Sequence, residues 1–466
     1  MARRTGEPNE PFSELLAASG WGGEALARRI NALAASLGLH THYTHTSVRN
    51  WAYRGMVPKS PVPQLTAQAL AERLGRPVTS SDIGMADQQG RSGVAGLEFP
   101  RDLTTAVRTA TDLWSDVDRR DFLTATSGSS FVIAAYATPV TRWLVAPADP
   151  GASHRGSRTI GSRDVAALRD AADEARRWDS KYGGGNWRTA ALTRCLREEA
   201  APLLRGTYSD RTGRDLFAAT AELCRVAAFS FLDAGHHDRA QRYFIQALRL
   251  ARAAGNVPLG GYVLATMALQ ALLRGYPDEA VDMAQGATER TRGLASPRAA
   301  AFYQLVEARA QARAGDARAA ESALVTAERL LGRATPDDDL GLDYFTHERL
   351  AADTTEIYRD LRRPQLAIRW NAQARMPAGR FARAVGLRLA IVGTAHLHAR
   401  QLDEGLAAGH QALDILEHVA SARAKGYVRD LLAELEPWQH EPSTREFTHR
   451  AARFVAADPA GGLPGA

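Results

Sequence analysis

Three hexapeptides decide the architecture: Gly235–Ala240 (GHHDRA), Gly275–Ala280 (GYPDEA) and Gly315–Ala320 (GDARAA), each 40 residues after the one before. The register extends beyond them. Ala228, Ala268 and Ala308 stand seven residues before each glycine, Ala240, Ala280 and Ala320 five after it, and Ala247, Ala287 and Ala327 twelve after it. A small residue late in one helix lets a second helix approach closely, glycine serves the tight turn, and two alanines a helical face apart line the second helix. An internal period of this kind marks stacked helical hairpins, each burying its apolar face against its neighbours.

The pattern resembles the tetratricopeptide repeat, in which small residues, a turn glycine and two alanines fall at these relative positions. A step of 40 against the family's roughly 34 implies longer connections between repeats. Weaker copies follow, one with Arg362 in the turn and Ala367 and Ala374 in its second helix, another with Gly393, Arg400, Gly405 and Ala412. A helix pair before Gly206 and a capping helix ending near Ala456 complete an α-solenoid over 161–456, with 457–466 as a disordered tail.

At 466 residues the chain is too long for one core, and its 7% aromatic and 45% apolar content suits helices packed through small side chains. The fold class expected is therefore all-α. A net charge of +6 is compatible with a polyanionic partner and equally with an arginine-rich solvated surface. Cys195 and Cys224 are far apart, with no further thiol or histidine at ligand spacing, so they read as buried small side chains in a reducing, cytoplasmic compartment. The N-terminus lacks the apolar stretch of a secretory signal, and the longest apolar run, Phe131–Pro139, is too short to span a bilayer.

Residues 1–85 alternate short helical patterns with turn signals: Pro11–Ala18, Gly23–Leu37, Thr44–Tyr53 and Pro63–Leu74. In the third pattern Val48 and Trp51 are the anchors, while Thr46, Ser47, Arg49 and Asn50 face outward, with Arg54 and Lys59 just beyond. Those outward types suit DNA: arginine forks onto guanine or phosphate, asparagine pairs with adenine, and hydroxyls reach phosphate oxygens. Trp51–Pro58 (WAYRGMVP), followed by Pro63 and a helix ending at Leu74, resembles the repressor-type helix-turn-helix family of the Cro and CI class. The connection Gly38–Tyr43 is longer than that family's turn. Residues 86–160 read as a linker carrying a helix over Leu103–Asp116, the apolar segment and a mobile polar loop.

Enzyme signatures are missing: there is no P-loop, GxSxG elbow, HExxH pair or dinucleotide fingerprint, and no cofactor or metal is called for. The remaining candidate site is the concave face of the solenoid. Carrying over the inward first-helix positions of the tetratricopeptide motif gives Arg225, Phe229, Tyr262, Phe302, Arg309, Arg313, Arg349, Glu356 and Arg359 as ligand-binding residues. A helix-turn-helix followed by such repeats resembles actinobacterial regulators of differentiation and secondary metabolism, and more distantly the peptide-sensing RRNPP regulators. The resemblance implies a homodimer on a double-stranded DNA operator, with a peptide or small-molecule signal in the repeats and no membrane partner. The alternative is a repeat adaptor that regulates by binding another protein without reading DNA.

Overall fold

The computed structural model describes residues 3–4, 8–36, 41–58, 62–74, 78, 82–85, 96–121, 131–145, 149, 151–184, 187–336, 338 and 340–457. Lys59, the stretch 86–95 and the tail after 457 lie outside them. The protein is overwhelmingly helical, and no helix among the described residues is long and apolar enough to cross a membrane.

The chain divides into two units, Met1–Ala95 and Gly96–Ala466. In the first, helix α1 (Glu10–Ala18) begins at Asn9, whose side chain accepts the Phe12 N–H at 3.1 Å. The other Asn9 valences fix the ends of the unit: its amide donates to Ile83 O at 3.0 Å and its backbone N–H to Ala52 O at 2.7 Å. Helices α2 (Gly23–Ser36), α3 (His45–Tyr53) and α4 (Val62–Leu74) complete it. α2 packs on both α3 and α4. Phe12, Leu26, Ile30, Val48, Trp51, Leu70 and Ile83 meet in one core. A two-residue antiparallel ladder, Arg3–Arg4 against Met56–Val57, is the one sheet among the described residues. Too short to show a period, it has no counterpart in the all-helical sequence reading.

The second unit opens with α5 (Leu103–Asp121) and α6 (Ala137–Val145), the latter entered through a 3-10 turn at Ile133–Tyr136. Next come α7 (Ser162–Tyr182) and α8 (Trp187–Cys195), which continues through a π-helical turn into α9 (Ala201–Leu204). Five hairpins follow. They pair α10 (Asp210–Asp233) with α11 (His237–Ala253), α12 (Val257–Leu273) with α13 (Pro277–Arg290), and α14 (Pro297–Ala314) with α15 (Ala317–Leu331). The last two pair α16 (His347–Asp360) with α17 (Pro364–Asn371) and α18 (Ala378–His398) with α19 (Leu402–Leu416). α20 (Ala422–Ala433) and α21 (Pro442–Ala456) finish the chain.

All nine alanines of the 40-residue register are fully buried. Gly235, Gly275 and Gly315 take φ of +86°, +84° and +88°, and each turn closes in the same way. Gly235 N–H donates to Leu232 O and His236 N–H to Phe231 O. The same pair of bonds recurs at Gly275/Tyr276 and Gly315/Asp316. This is the double closure by which a helix ends on a left-handed residue. The two weaker copies keep the closure with arginine in the left-handed position, φ +55° at Arg362 and +64° at Arg400. A side chain there costs about 1–2 kcal/mol. Arg362→Gly is therefore expected to raise stability by about 0.5 kcal/mol, the Glu434 ion pair it removes being half-exposed and weak. The urea midpoint checks this; a lower one would show that the ion pair outweighs the strain.

The segment expected to be a linker is, from Gly96 onward, part of the second unit's core: Phe99, Trp114, Tyr136 and Trp143 are all buried there. Buried polar residues on α11 hold it by its backbone. Gln246 donates to Gly96 O at 2.8 Å and Glu98 O at 2.9 Å, Gln241 bonds Val132 in both directions, and Arg249 donates to Pro100 O and Arg101 O. Arg249 also pairs with Asp149 at 2.7 Å, with both side chains almost completely buried. The expected mobile polar loop is anchored as well, since His154 and Thr159 bridge to Tyr208 and Thr207 and Ala152 N–H meets Asp210.

Candidate functional site

In the first unit the outer face of α3 is the first candidate. Val48, Trp51 and Ala52 are buried. Trp51 packs edge-on to Tyr43, ring centroids 5.2 Å apart, and against Phe12 at 6.5 Å. On the opposite side Thr46, Arg49 and Arg54 are exposed and Asn50 is half-buried. Tyr53 adds an exposed aromatic ring that the sequence reading passed over. Ser47 is partly committed elsewhere, because its hydroxyl accepts the Thr44 N–H at 3.3 Å and helps cap the helix. Asn31 of α2 holds the far end of the long α2–α3 connection: its Oδ1 accepts from Tyr43 N–H and the Thr41 hydroxyl, and its amide donates to Tyr43 O. α3 is thus seated on α2 despite the extra residues.

In the second unit seven of the nine residues assigned to the concave face converge on one cavity of about 110 Å³: Arg225, Phe229, Tyr262, Phe302, Arg309, Arg349 and Glu356. The open groove expected from the repeats is not what forms. α7 packs against both α10 and α18, so the start of the array meets its end. Arg383 of α18 reaches Asp179 of α7 at 2.7 Å and Asp233 of α10 at 3.2 Å. Arg423 of α20 reaches the same Asp233 at 3.1 Å, and Gly184 N–H donates to it at 3.0 Å. Ala420 N–H closes the seam on Tyr182 O. The other two predicted residues, Arg313 and Arg359, line a separate cavity of about 320 Å³ with Arg362, His398, Asp430 and Glu434. Both bind Asp360, at 2.6 and 2.7 Å.

Buried charge dominates the first cavity. Arg225 lies over the Tyr262 ring at 4.1 Å while both its forks hold Glu222. Arg309 donates to Glu356 at 2.6 Å, and Arg349 takes Asp353 at 2.7 Å. Burial works to raise the Glu356 carboxyl, but Arg309, Arg359 and Arg313 outweigh it and hold the group at about 2; the Tyr427 hydroxyl donates to it as well. Burial likewise opposes ionisation of Asp233, which Arg383 and Arg423 nevertheless keep below the usual carboxylate range. At Asp179 burial wins over Arg383, and its carboxyl is raised.

One wall cation lacks such compensation. Arg388 donates to the Asn371 side-chain Oδ1, has no carboxylate partner among the described residues, and is lowered by burial alone. Arg176, Arg383, Arg388, Arg423, Asp353 and Tyr427 all belong to the wall and were not assigned from the sequence. All six come from helices outside the three clear copies, and all but Asp353 from helices where no register marks the inward side. Among the described residues no group of three or more His, Cys, Asp or Glu is placed to hold a metal ion. Cys224 is buried with its thiol donating to Tyr243 O at 3.3 Å.

Residues 12–86 match the SP15 N-terminal domain family, a span confined to the first unit. No curated protein matches the chain.

Proposed function

We propose that this is a sequence-specific DNA-binding transcriptional regulator acting as a homodimer. The first unit is read as a repressor-type helix-turn-helix and the second as a closed array of tetratricopeptide-like hairpins that dimerises and receives a signal. One observation carries the reading: α3 is seated by Val48 and Trp51 and turns Thr46, Arg49, Asn50 and Arg54 to its free side. A short helix held by its apolar side, with a guanidinium and a carboxamide on the other, has the means to read base edges in the major groove. Two copies would engage half-sites roughly 34 Å apart.

The test is selection of genomic fragments by the purified full-length protein at about 150 mM salt, where non-specific phosphate contacts are weakened. A shared, roughly palindromic sequence is expected. Replacing Arg49 and Asn50 together by alanine should lower affinity for that sequence by at least about tenfold, each bidentate base contact contributing about 1–3 kcal/mol. Both side chains sit outside the core, so helicity and unfolding should not change. Failure to recover a shared sequence would favour the protein-binding adaptor.

A further inference from the structure

We infer that the cavity of the second unit binds a compact molecule bearing one carboxylate on an apolar body. Size sets the first limit. One water needs roughly 10–15 Å³ of accessible space, so about 110 Å³ accommodates on the order of ten non-hydrogen atoms. A peptide of several residues does not fit.

Charge sets the second. Seven arginines line the cavity against three carboxylates. Glu222 and Asp233, behind the wall, offset part of the difference by pairing Arg225 and Arg423, and Asp173 pairs Arg176. Arg388 remains without a carboxylate. Among the described residues several donors on lining residues are buried with no hydrogen-bond partner: Nε of Arg309, Nε of Arg388 and Nε of Arg176, whose Nη1 lies 3.7 Å from Glu222. Buried guanidinium donors left unmade are costly, and a negatively charged acceptor satisfies them better than a neutral one. One uncompensated cation calls for one negative charge.

The apolar lining sets the third limit. Tyr262 and Phe302 stand edge to face with centroids 5.3 Å apart, beside Leu269 and Leu387 in the same wall. An apolar body packs against such a lining better than a chain of hydrated oxygens, which separates this ligand from a small polyanion.

Calorimetric titration of the full-length protein with benzoate, benzamide and inorganic phosphate tests the inference without DNA. Saturable benzoate binding is expected, with benzamide and phosphate each at least about tenfold weaker, since a charge-assisted hydrogen bond contributes more than a neutral one. Arg388→Gln should weaken benzoate at least about tenfold with little change in unfolding, because Asn371 is its one hydrogen-bond partner among the described residues. Should that variant unfold, Arg176→Gln replaces it. No saturable benzoate binding, equal binding of benzamide, tighter binding of phosphate, or unchanged affinity in the folded variant would each overturn the inference. Any effect of benzoate on DNA affinity rests on the regulator reading above; it is measured in a separate DNA titration, so either idea can fail alone.

Discussion

Asp233→Ala is expected to destabilise the second unit by about 3–5 kcal/mol, the usual cost of removing one partner from a buried charge network. Asp233 has no exposed surface and is the point where three parts of the chain meet: α18 through Arg383, α20 through Arg423, and the end of α7 through Gly184 N–H. Alanine leaves Arg423 without its carboxylate and Gly184 without its acceptor, while Arg383 keeps Asp179. The loss should therefore concentrate at the seam. Hydrogen exchange is expected to rise over 178–184 and 420–428 before it does in α12–α15, and the urea midpoint to fall. Asp233→Asn keeps an acceptor for Gly184 and should lose less. An unchanged midpoint in the alanine variant would mean that the seam contributes nothing to holding the array closed.

The same network fixes the response to acid. Asp233 and Glu356 are both held below their ordinary values, Glu356 at about 2 against 4.5. A carboxyl with a depressed folded-state pKa contributes fully above its unfolded value, and that contribution is lost as pH falls towards the folded one. Stability of the second unit should thus decline between about pH 4.5 and 2. The raised Asp179 carboxyl works in the opposite sense, and the decline in the Asp233→Ala variant should be shallower.

How much of this was legible follows from which residues carry a period. The hairpins could be read because Ala228, Gly235, Ala240 and their copies repeat at a constant step, and close packing admits little else at those positions. Arg362 and Arg400 could be placed in turns by register, although arginine itself gives no hint of a left-handed backbone. The closing of the array could not be read. It depends on Asp179, Asp233, Arg383 and Arg423, single charged residues up to 244 positions apart, and nothing in the sequence pairs them. Gln241, Gln246 and Arg249 gave no signal for a related reason. They look like the polar face of α11, and they are buried because the backbone of 96–101 and Val132 meets them there. In the first unit the anchors of α3 followed from helical spacing. Ser47 did not, because a hydroxyl offered to phosphate and one used to cap a helix look the same in sequence.

Trp51→Ala should remove the proposed DNA-binding surface without touching any residue proposed to contact DNA. Truncating a buried tryptophan costs about 3–5 kcal/mol, and Trp51 is almost fully buried between Phe12 and Tyr43, next to Val48 and Ala52. The first unit has the 95 residues of Met1–Ala95, for which a total stability of about 5–14 kcal/mol is the ordinary range. At the lower end one cavity of this size leaves α3 without its seat. Amide exchange across 45–53 should accelerate sharply, and affinity for the selected operator should fall below that of the Arg49/Asn50 double variant, which loses contacts but keeps the helix. Exchange in α12–α15 serves as the reference and should not change, since Trp51 belongs to the core of the first unit. Trp51→Phe retains a ring against Tyr43 and should recover most of the protection. Operator binding that survived Trp51→Ala while exchange over 45–53 rose would show that α3 is not the reading element, and would move the search for the DNA contact elsewhere on the chain.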